Sequence, residues 1–385
     1  MYFPGRISSK LPQLQTTIFT QMSALAQEHD AINLAQGFPD FKPSPEVIQA
    51  AERALSGGNH QYAPMAGYIP LREMIAEKYC RLYGCSLHPE SEITITAGGT
   101  QAIFTAIHAL VREGDEVLVF APAYDCYIPA IETAGGKYVY YTLQAPDYSI
   151  NWEDVKKLIS PRTRMIILNN PTNPTGKVWR EEDMRQLAKM VSQTEIILLS
   201  DEVYEHIVFD GRRHESVLRY PELAERALCC FSFGKTYHVT GWKLGYVTGP
   251  PELMKEFRKI HQYNVFSVNS FLQNVFTELM QQPVLYEELS LFYQQKRDFA
   301  KKNLQHPGLE MLPCEGTYFM LYRYHNLSEE RDVDFAKRLV TDYKLAVIPV
   351  SVFHPNHIDE KVIRICFAKK EGTMLRAAEC MQKIK

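Results

Sequence analysis

The sequence predicts an α/β protein built on a mostly parallel sheet covered by helices, with a smaller α+β unit beside it. Three observations point there. Between about residues 92 and 250, short apolar, β-rich runs alternate with helical stretches, the pattern of βαβ units. Each run ends in residues that carry chemistry rather than in further hydrophobic ones, and open α/β sheets bind ligands beyond the carboxyl ends of their strands. After about residue 286 the alternation gives way to a mixture of charged helices and isolated strands. With 385 residues, 45% of them hydrophobic and 23% charged, the chain can bury a large interior and enclose a ligand without metals or cross-links.

Taken in order, TIFTQMSALAQEH reads as a helix, and INLAQGFPDF after it should pack beside the smaller unit rather than in the main sheet. The main sheet should draw on EITITAGG, followed by an apolar helix to Val111, then DEVLVFAP, KYVYYTL, TRMIILNN, EIILLSDE and ALCCFSFG. The smaller unit should contain a helix around YQQKRDFAKKNL, a strand at TYFMLYRY, a helix near DVDFAKRLV, strands at LAVIPV and KVIRICFA, and a final helix. The resulting division is an arm with part of the small domain over 1–45, a large domain over 46–285 and a C-terminal small domain over 286–385. No repeat or low-complexity linker marks the boundaries.

The charge balance excludes some partners. A net charge of -3, from 42 Lys+Arg against 45 Asp+Glu, gives no basic field for nucleic acid or an anionic membrane, so a small molecule is expected. The eight cysteines show no C-x-x-C spacing and no pairing with histidines, so they read as reduced thiols and no metal is expected. MYFPGRISSKLPQL lacks the apolar core of a signal peptide and no stretch is long enough to span a membrane; a cytoplasmic protein is expected.

Six segments could carry chemistry, each with a plainer alternative. In ILLSDEVYE, Asp201 follows a buried strand and Tyr204 stands three residues on; alone, Asp201 reads equally as a helix cap. In FSFGKTYHVTGWKLGY, Lys235 follows an apolar strand among Ser232, Gly234 and Thr236, with Lys243 eight positions later. Partial desolvation there would lower its pKa and make it a nucleophile and base, although a lone lysine is more often on the surface. In ITAGGTQAIFTAIHAL, Gly98, Gly99 and Thr100 precede an apolar helix whose free amides could seat a phosphate; a glycine pair is otherwise a tight turn. Neither a Walker loop nor a G-x-G-x-x-G occurs. In LNNPTNPTGKV, Asn173 presents an amide from a backbone fixed by two prolines, or simply forms a turn. In APAYDCYIPA, Tyr124 could stack on a flat ring or be core. In KVIRICFAKK, Arg364 sits in an apolar strand, where it should meet a carboxylate, either a ligand's or a structural partner's. Together these residues supply what a phosphorylated pyridine aldehyde and an amino-acid carboxylate require.

With those residues assembled, the sequence resembles the fold type I pyridoxal 5′-phosphate (PLP) aminotransferases of class I/II, in the branch that includes the kynurenine, glutamine and methionine aminotransferases. The resemblance runs from TIFTQMSALAQ and INLAQGFPDF through QYAPMAG, ITAGGTQA, NNPTNPTGKV, SDEVYE and SFGKTYHVTGWKLGY to CEGTYF and IRICFAKK. It implies the aspartate aminotransferase-like fold, with a seven-stranded sheet, and a ping-pong exchange between an amino acid and a 2-oxo acid. Lys235 would form the Schiff base with PLP and then shuttle the proton. Asp201 would pair with the pyridine nitrogen, Tyr204 and Asn173 would bond the ring phenolate oxygen, and Tyr124 would stack on the ring. The phosphate would meet Gly99, Thr100, Gln101, Ser232, Lys243 and, from a second subunit of a homodimer, Tyr62. Many relatives have arginine at the position of Lys243, and lysine lacks its fork geometry. Arg364 would clamp the substrate carboxylate, the Gly37 backbone would close over the substrate, and Ile18 and Phe19 would line an apolar pocket. With no second arginine assigned to a dicarboxylate side chain, methionine or another bulky apolar or aromatic donor is preferred. β-Elimination on cysteine S-conjugates, which passes through the same intermediate, and kynurenine or glutamine transamination are the alternatives within the fold. A PLP-binding regulator is the reading from another class; such regulators carry a DNA-binding domain before the PLP domain, and with family-like sequence from near the start and a balanced charge it is the less expected reading.

Overall fold

The computed structural model describes residues 5–14, 16–57 and 60–385; the first four residues of the expected arm lie outside the described residues. Among the described residues, thirteen strands fall into three sheets. They are β1 (Ile32–Asn33), β2 (Ile93–Thr96), β3 (Glu116–Ala121), β4 (Lys137–Thr142), β5 (Thr163–Asn169), β6 (Ile197–Asp201), β7 (Ala227–Ser232), β8 (Gly245–Thr248), β9 (Glu310–Met311), β10 (Phe319–Arg323), β11 (Leu345–Ala346), β12 (Ile348–Pro349) and β13 (Val362–Cys366).

The large sheet has seven strands in the order β2-β8-β7-β6-β5-β3-β4. Every neighbouring pair is parallel except those of β8, which runs antiparallel to β2 and β7. Six of the seven strands are the apolar runs of the sequence; β8, the short GYVT, carries no such run. Strands β3 and β6 are buried along their whole length because both faces are covered. Alternate side chains enter different cores: Leu118 and Leu198 join the core on one face, while Val117, Val119, Ile197 and Leu199 join the core beneath helix Gly99–Leu110. The chain places β4 outside β3 and returns to lay β5 on its other side, so the strand order reverses there and a crevice opens beyond the carboxyl ends of β3, β5, β6 and β7.

The second unit is an antiparallel sheet in the order β12-β13-β10-β9 with helices Leu289–Asn303, Asp332–Tyr343 and Glu371–Met381. In the third sheet β1 pairs in parallel with β11, Ile32 opposite Leu345 and Asn33 opposite Ala346. This pairing brings the GFPDF loop, with Gly37, from the amino-terminal segment to the mouth of the crevice.

Candidate active site

A cavity of about 330 Å³ lies at the carboxyl edge of the large sheet. Along its wall are Phe19, Gly37, Gly99, Thr100, Tyr124, Asn173, Asp201, Tyr204, Ser232, Lys235, Lys243 and Arg364 from the sequence-predicted set.

One end of the cavity suits an anion. Gly98 caps helix Gly99–Leu110 with φ +83°, a left-handed conformation that favours glycine, and so turns the first amides of the helix toward the cavity. Gly99, Thr100, Ser232, Thr240 and Lys243 also line the wall. The Gln101 side chain is turned elsewhere, accepting from the Ala97 amide at 3.0 Å and donating to the Thr105 hydroxyl at 2.7 Å, which leaves only its backbone amide for an anion. Tyr62 is also elsewhere on this chain, 78% exposed, edge-on to Phe266 at 5.1 Å and beside a separate groove.

At the floor, Asp201 ends β6, where it is 3% exposed. Burial raises its pKa to about 6, opposed by the Tyr127 hydroxyl, which donates at 2.6 Å, and by the Val203 amide at 3.3 Å. Tyr204, in the following turn, is buried, and desolvation pushes its phenol well above the ordinary range. Tyr124 shares a 3.1 Å hydrogen bond with the Thr100 hydroxyl, its phenol pushed up by burial.

Lys235 stands in the one-turn helix Phe233–Thr236 just past β7. Desolvation lowers its pKa to about 8. Its Nζ donates to the Tyr318 hydroxyl at 2.7 Å and to the Gly37 carbonyl at 3.4 Å. The Gly37 loop lies close because the position has no side chain: a Cβ there would come within 2.8 Å of the Phe319 ring.

Arg364, in β13, is 1% exposed and meets no carboxylate among the described residues. Nη1 donates to Asn173 Oδ1 at 2.8 Å, Nη2 donates to the Ala35 carbonyl at 3.2 Å, and Nε has no partner. Its carbon centre lies 3.9 Å from the centroid of the Phe319 ring. Burial lowers its pKa to about 10, so it keeps its charge at neutral pH. No carboxylate pairs with this arginine among the described residues, and the guanidinium N–H groups not used on Asn173 and Ala35 are suited to a ligand carboxylate. Because Asn173 gives its oxygen to Arg364, its NH₂ remains as the group to offer a ligand.

Ile18 is a correction. Both side chains pack against the core, but Phe19 also lines the cavity and Ile18 does not, because neighbours on a helix point about 100° apart. Gln36, Phe38, Ile103, Asp125, Asn169, Val203 and Phe319 also line the cavity without having been singled out. Asn169 had a local signal, since it begins the NNPTNP segment and its Oδ1 accepts from the Asn173 amide at 2.7 Å. Tyr127, in the same segment as Tyr124, had none that would separate it from core. Among the described residues no group of three or more His, Cys, Asp or Glu could hold a metal ion, and no helix is long and apolar enough to cross a membrane.

The sequence matches the family model of aminotransferases of class I and II over residues 29–380. The chain belongs to this family. This aminotransferase is 49% identical to a methionine aminotransferase of Escherichia coli, with 98% of each chain covered. It is 35% identical to the human kynurenine–oxoglutarate transaminase 1 over 94% of each chain. Its fold superposes with a TM-score of 0.96 on an Escherichia coli structure reported with a methionine aminotransferase function, at 49% identity and with 99% of this chain and 100% of the other covered. The aminotransferase therefore has the aspartate aminotransferase-like fold expected from its motifs.

Proposed function

We propose that this aminotransferase binds PLP in the cavity and moves the amino group of methionine, or of another bulky apolar or aromatic amino acid, to a 2-oxo acid in two half-reactions. The single observation that carries the reading is that the Lys235 amine and the Asp201 carboxylate line one cavity. The donor set fits the cofactor. An anion seat lies at Gly99, Thr100, Ser232 and Lys243, a buried carboxylate lies at the floor, and a phenol and an amide NH₂ stand between them. When bound, PLP supplies the aldehyde and the electron-accepting ring that stabilises negative charge at the substrate Cα.

The chain's own residues do the rest. Asp201, ionised above a pKa of about 6, would hold a proton on the pyridine nitrogen. Tyr204 and Asn173 would donate to the ring oxygen and Tyr124 would cover the ring face, which together fix its angle. Arg364 would take the substrate carboxylate on the N–H groups it does not give to Asn173 and Ala35, and Gly37 would close the loop above it. Lys235, with a pKa near 8, is poised to remove the Cα proton and return it at the carbon that carries the amino group away. The walls contributed by Phe19, Phe38 and Phe319 favour an apolar side chain. Tyr62 would complete the phosphate seat from the second subunit of a homodimer, since on its own chain it faces away from this cavity. The eight free cysteines suit a cytoplasmic protein.

The test is a panel of amino donors against several 2-oxo acids. Methionine and aromatic donors are expected to lead, and the purified protein is expected to carry a visible-wavelength absorption band that Lys235→Ala removes. A protein without that band, or whose band and turnover survive Lys235→Ala, would overturn the reading. Pyruvate and ammonia released from a cysteine S-conjugate, with no oxo acid present, would shift the assignment to β-elimination.

A further inference from the structure

One buried phenol holds the amine that the proposed chemistry uses. Tyr318 sits immediately before β10 and is fully buried. Its hydroxyl donates to the Gly37 carbonyl at 2.6 Å, and Lys235 Nζ donates to the same hydroxyl at 2.7 Å. The Tyr204 phenol also hydrogen-bonds this hydroxyl; an ammonium has no lone pair, so the phenol meets the charged amine as an acceptor. The ring cannot swing: it packs edge-on against Tyr204 at 5.2 Å and Phe319 at 4.9 Å, and against Tyr293 at 5.7 Å. The carbonyl is fixed as well. Lys369, 4% exposed, donates to the carbonyls on either side of Gly37, Phe38 at 2.8 Å and Gln36 at 3.4 Å.

We propose that Tyr318 is a positioning residue for Lys235, holding its free amine at one point of the cavity wall while the proton at the substrate Cα is moved. The inference rests on the assignment of Lys235 given above. The other groups that face the amine are Asp201, Arg364, Lys243, the Cys366 thiol and the ring of Tyr204. None of them accepts a hydrogen bond from it. Without the Tyr318 hydroxyl, the remaining acceptor is the Gly37 carbonyl at 3.4 Å, a marginal length. A lysine on four rotatable bonds then has no fixed place. Tyr318 gives up no proton itself, because burial holds its phenol neutral far above the working range.

The test uses the holoenzyme and Tyr318→Phe, which keeps the ring and removes only the hydroxyl. Expected are a kcat for methionine lowered about 10²-fold, as misplacement of a reacting group by about 1 Å produces, a nearly unchanged KM, and a larger isotope effect with Cα-deuterated methionine. Tyr293→Phe is the packing control. Its buried hydroxyl has no partner, so activity should be retained. Wild-type kcat and isotope effect in Tyr318→Phe would overturn the proposal, as would an equal loss in Tyr293→Phe. Should Tyr318→Phe not fold, Tyr318→3-fluorotyrosine keeps the shape and weakens the acceptor. The pH profile for modification of the cofactor-free amine by PLP should then move to lower pH, and an unmoved profile would overturn the proposal. These failures leave the reading of Lys235 intact, whereas a wild-type protein without amino transfer removes that reading itself.

Discussion

Two of the lysines that reach the interior of this aminotransferase, Lys78 and Lys235, are treated by the fold in opposite ways. Lys78, on helix Ile69–Tyr83, gives its ammonium to Glu205 at 2.5 Å and to the Tyr246 hydroxyl at 3.1 Å; the two charged side chains are only 5% and 4% exposed. Lys235 opens onto the cavity and meets only a phenol and a carbonyl. Desolvation lowers the pKa of both. At Lys78 the Glu205 carboxylate opposes that shift and occupies the amine, while at Lys235 nothing of comparable strength holds it. The scaffold needs a charge that never leaves its partner. The chemistry needs an amine whose partners let go.

The largest effect that would sharpen this contrast is on turnover. Lys235→Ala should lower amino transfer by about 10⁴-fold or more, as loss of a nucleophile does elsewhere. The thermal midpoint of the cofactor-free protein should not fall, because the variant removes a poorly solvated amine. Lys78→Met should do the reverse. Leaving Glu205 buried without its ammonium, with only the hydroxyls of Tyr79, Tyr83 and Tyr246 and the His206 ring beside it, should cost about 3 kcal/mol in denaturant unfolding, the lower end for a broken buried pair, with turnover per folded molecule unchanged. A Lys78 variant that is stable but inactive would break the comparison. Arg364→Met should raise KM for the amino donor by roughly tenfold to a hundredfold, the worth of about 1.5–3 kcal/mol for a charge-assisted contact.

The smallest effect is in pH. The cofactor-free amine of Lys235 reacts only when neutral, so its rate with PLP should climb about tenfold per unit up to about 8 and level off above. A climb that continues toward the ordinary lysine range would mean that the amine is not desolvated in solution. The role proposed for Asp201 would set the acid limit. Its folded-state pKa, about 6, lies above the ordinary 3.8, so the carboxylate needed to pair with the ring is lost as pH falls through about 6, and cofactor affinity should drop there.

The same contrast explains what the sequence could reveal. The sheet side of the site is local. Asp201 and Tyr204 share one short segment at the end of β6, as do Ser232 and Lys235 at the end of β7, and an apolar run points at each. Gly98, Gly99 and Thr100 lie between a strand and a helix for the same reason. The opposite side is assembled from a distance. Phe319, Gln36 and Phe38 line the cavity, and Tyr318 reaches Lys235 behind them, because β10 pairs with β13 and β1 pairs with β11, and no local window encodes those pairings. Ile18 and Phe19 could not be told apart without the phase of their helix, and a short apolar run was the one signal β8 lacked. Asp125 adjoins Tyr124, yet an acid after a strand has too many uses to stand out.

The pairing of β1 with β11 joins residues 32–33 to residues 345–346. During synthesis, the amino-terminal strand emerges more than three hundred residues before its mate, and Arg364 comes later still. The wall that faces the lysine is therefore completed only when nearly the whole chain has left the ribosome, and until then the apolar loop around Gly37 has nothing to dock on. Such long-range closure is slow. A chain shortened at its carboxyl end before β11 loses the anchor of its own beginning, so cells making this enzyme depend on late events to finish a segment made among the first.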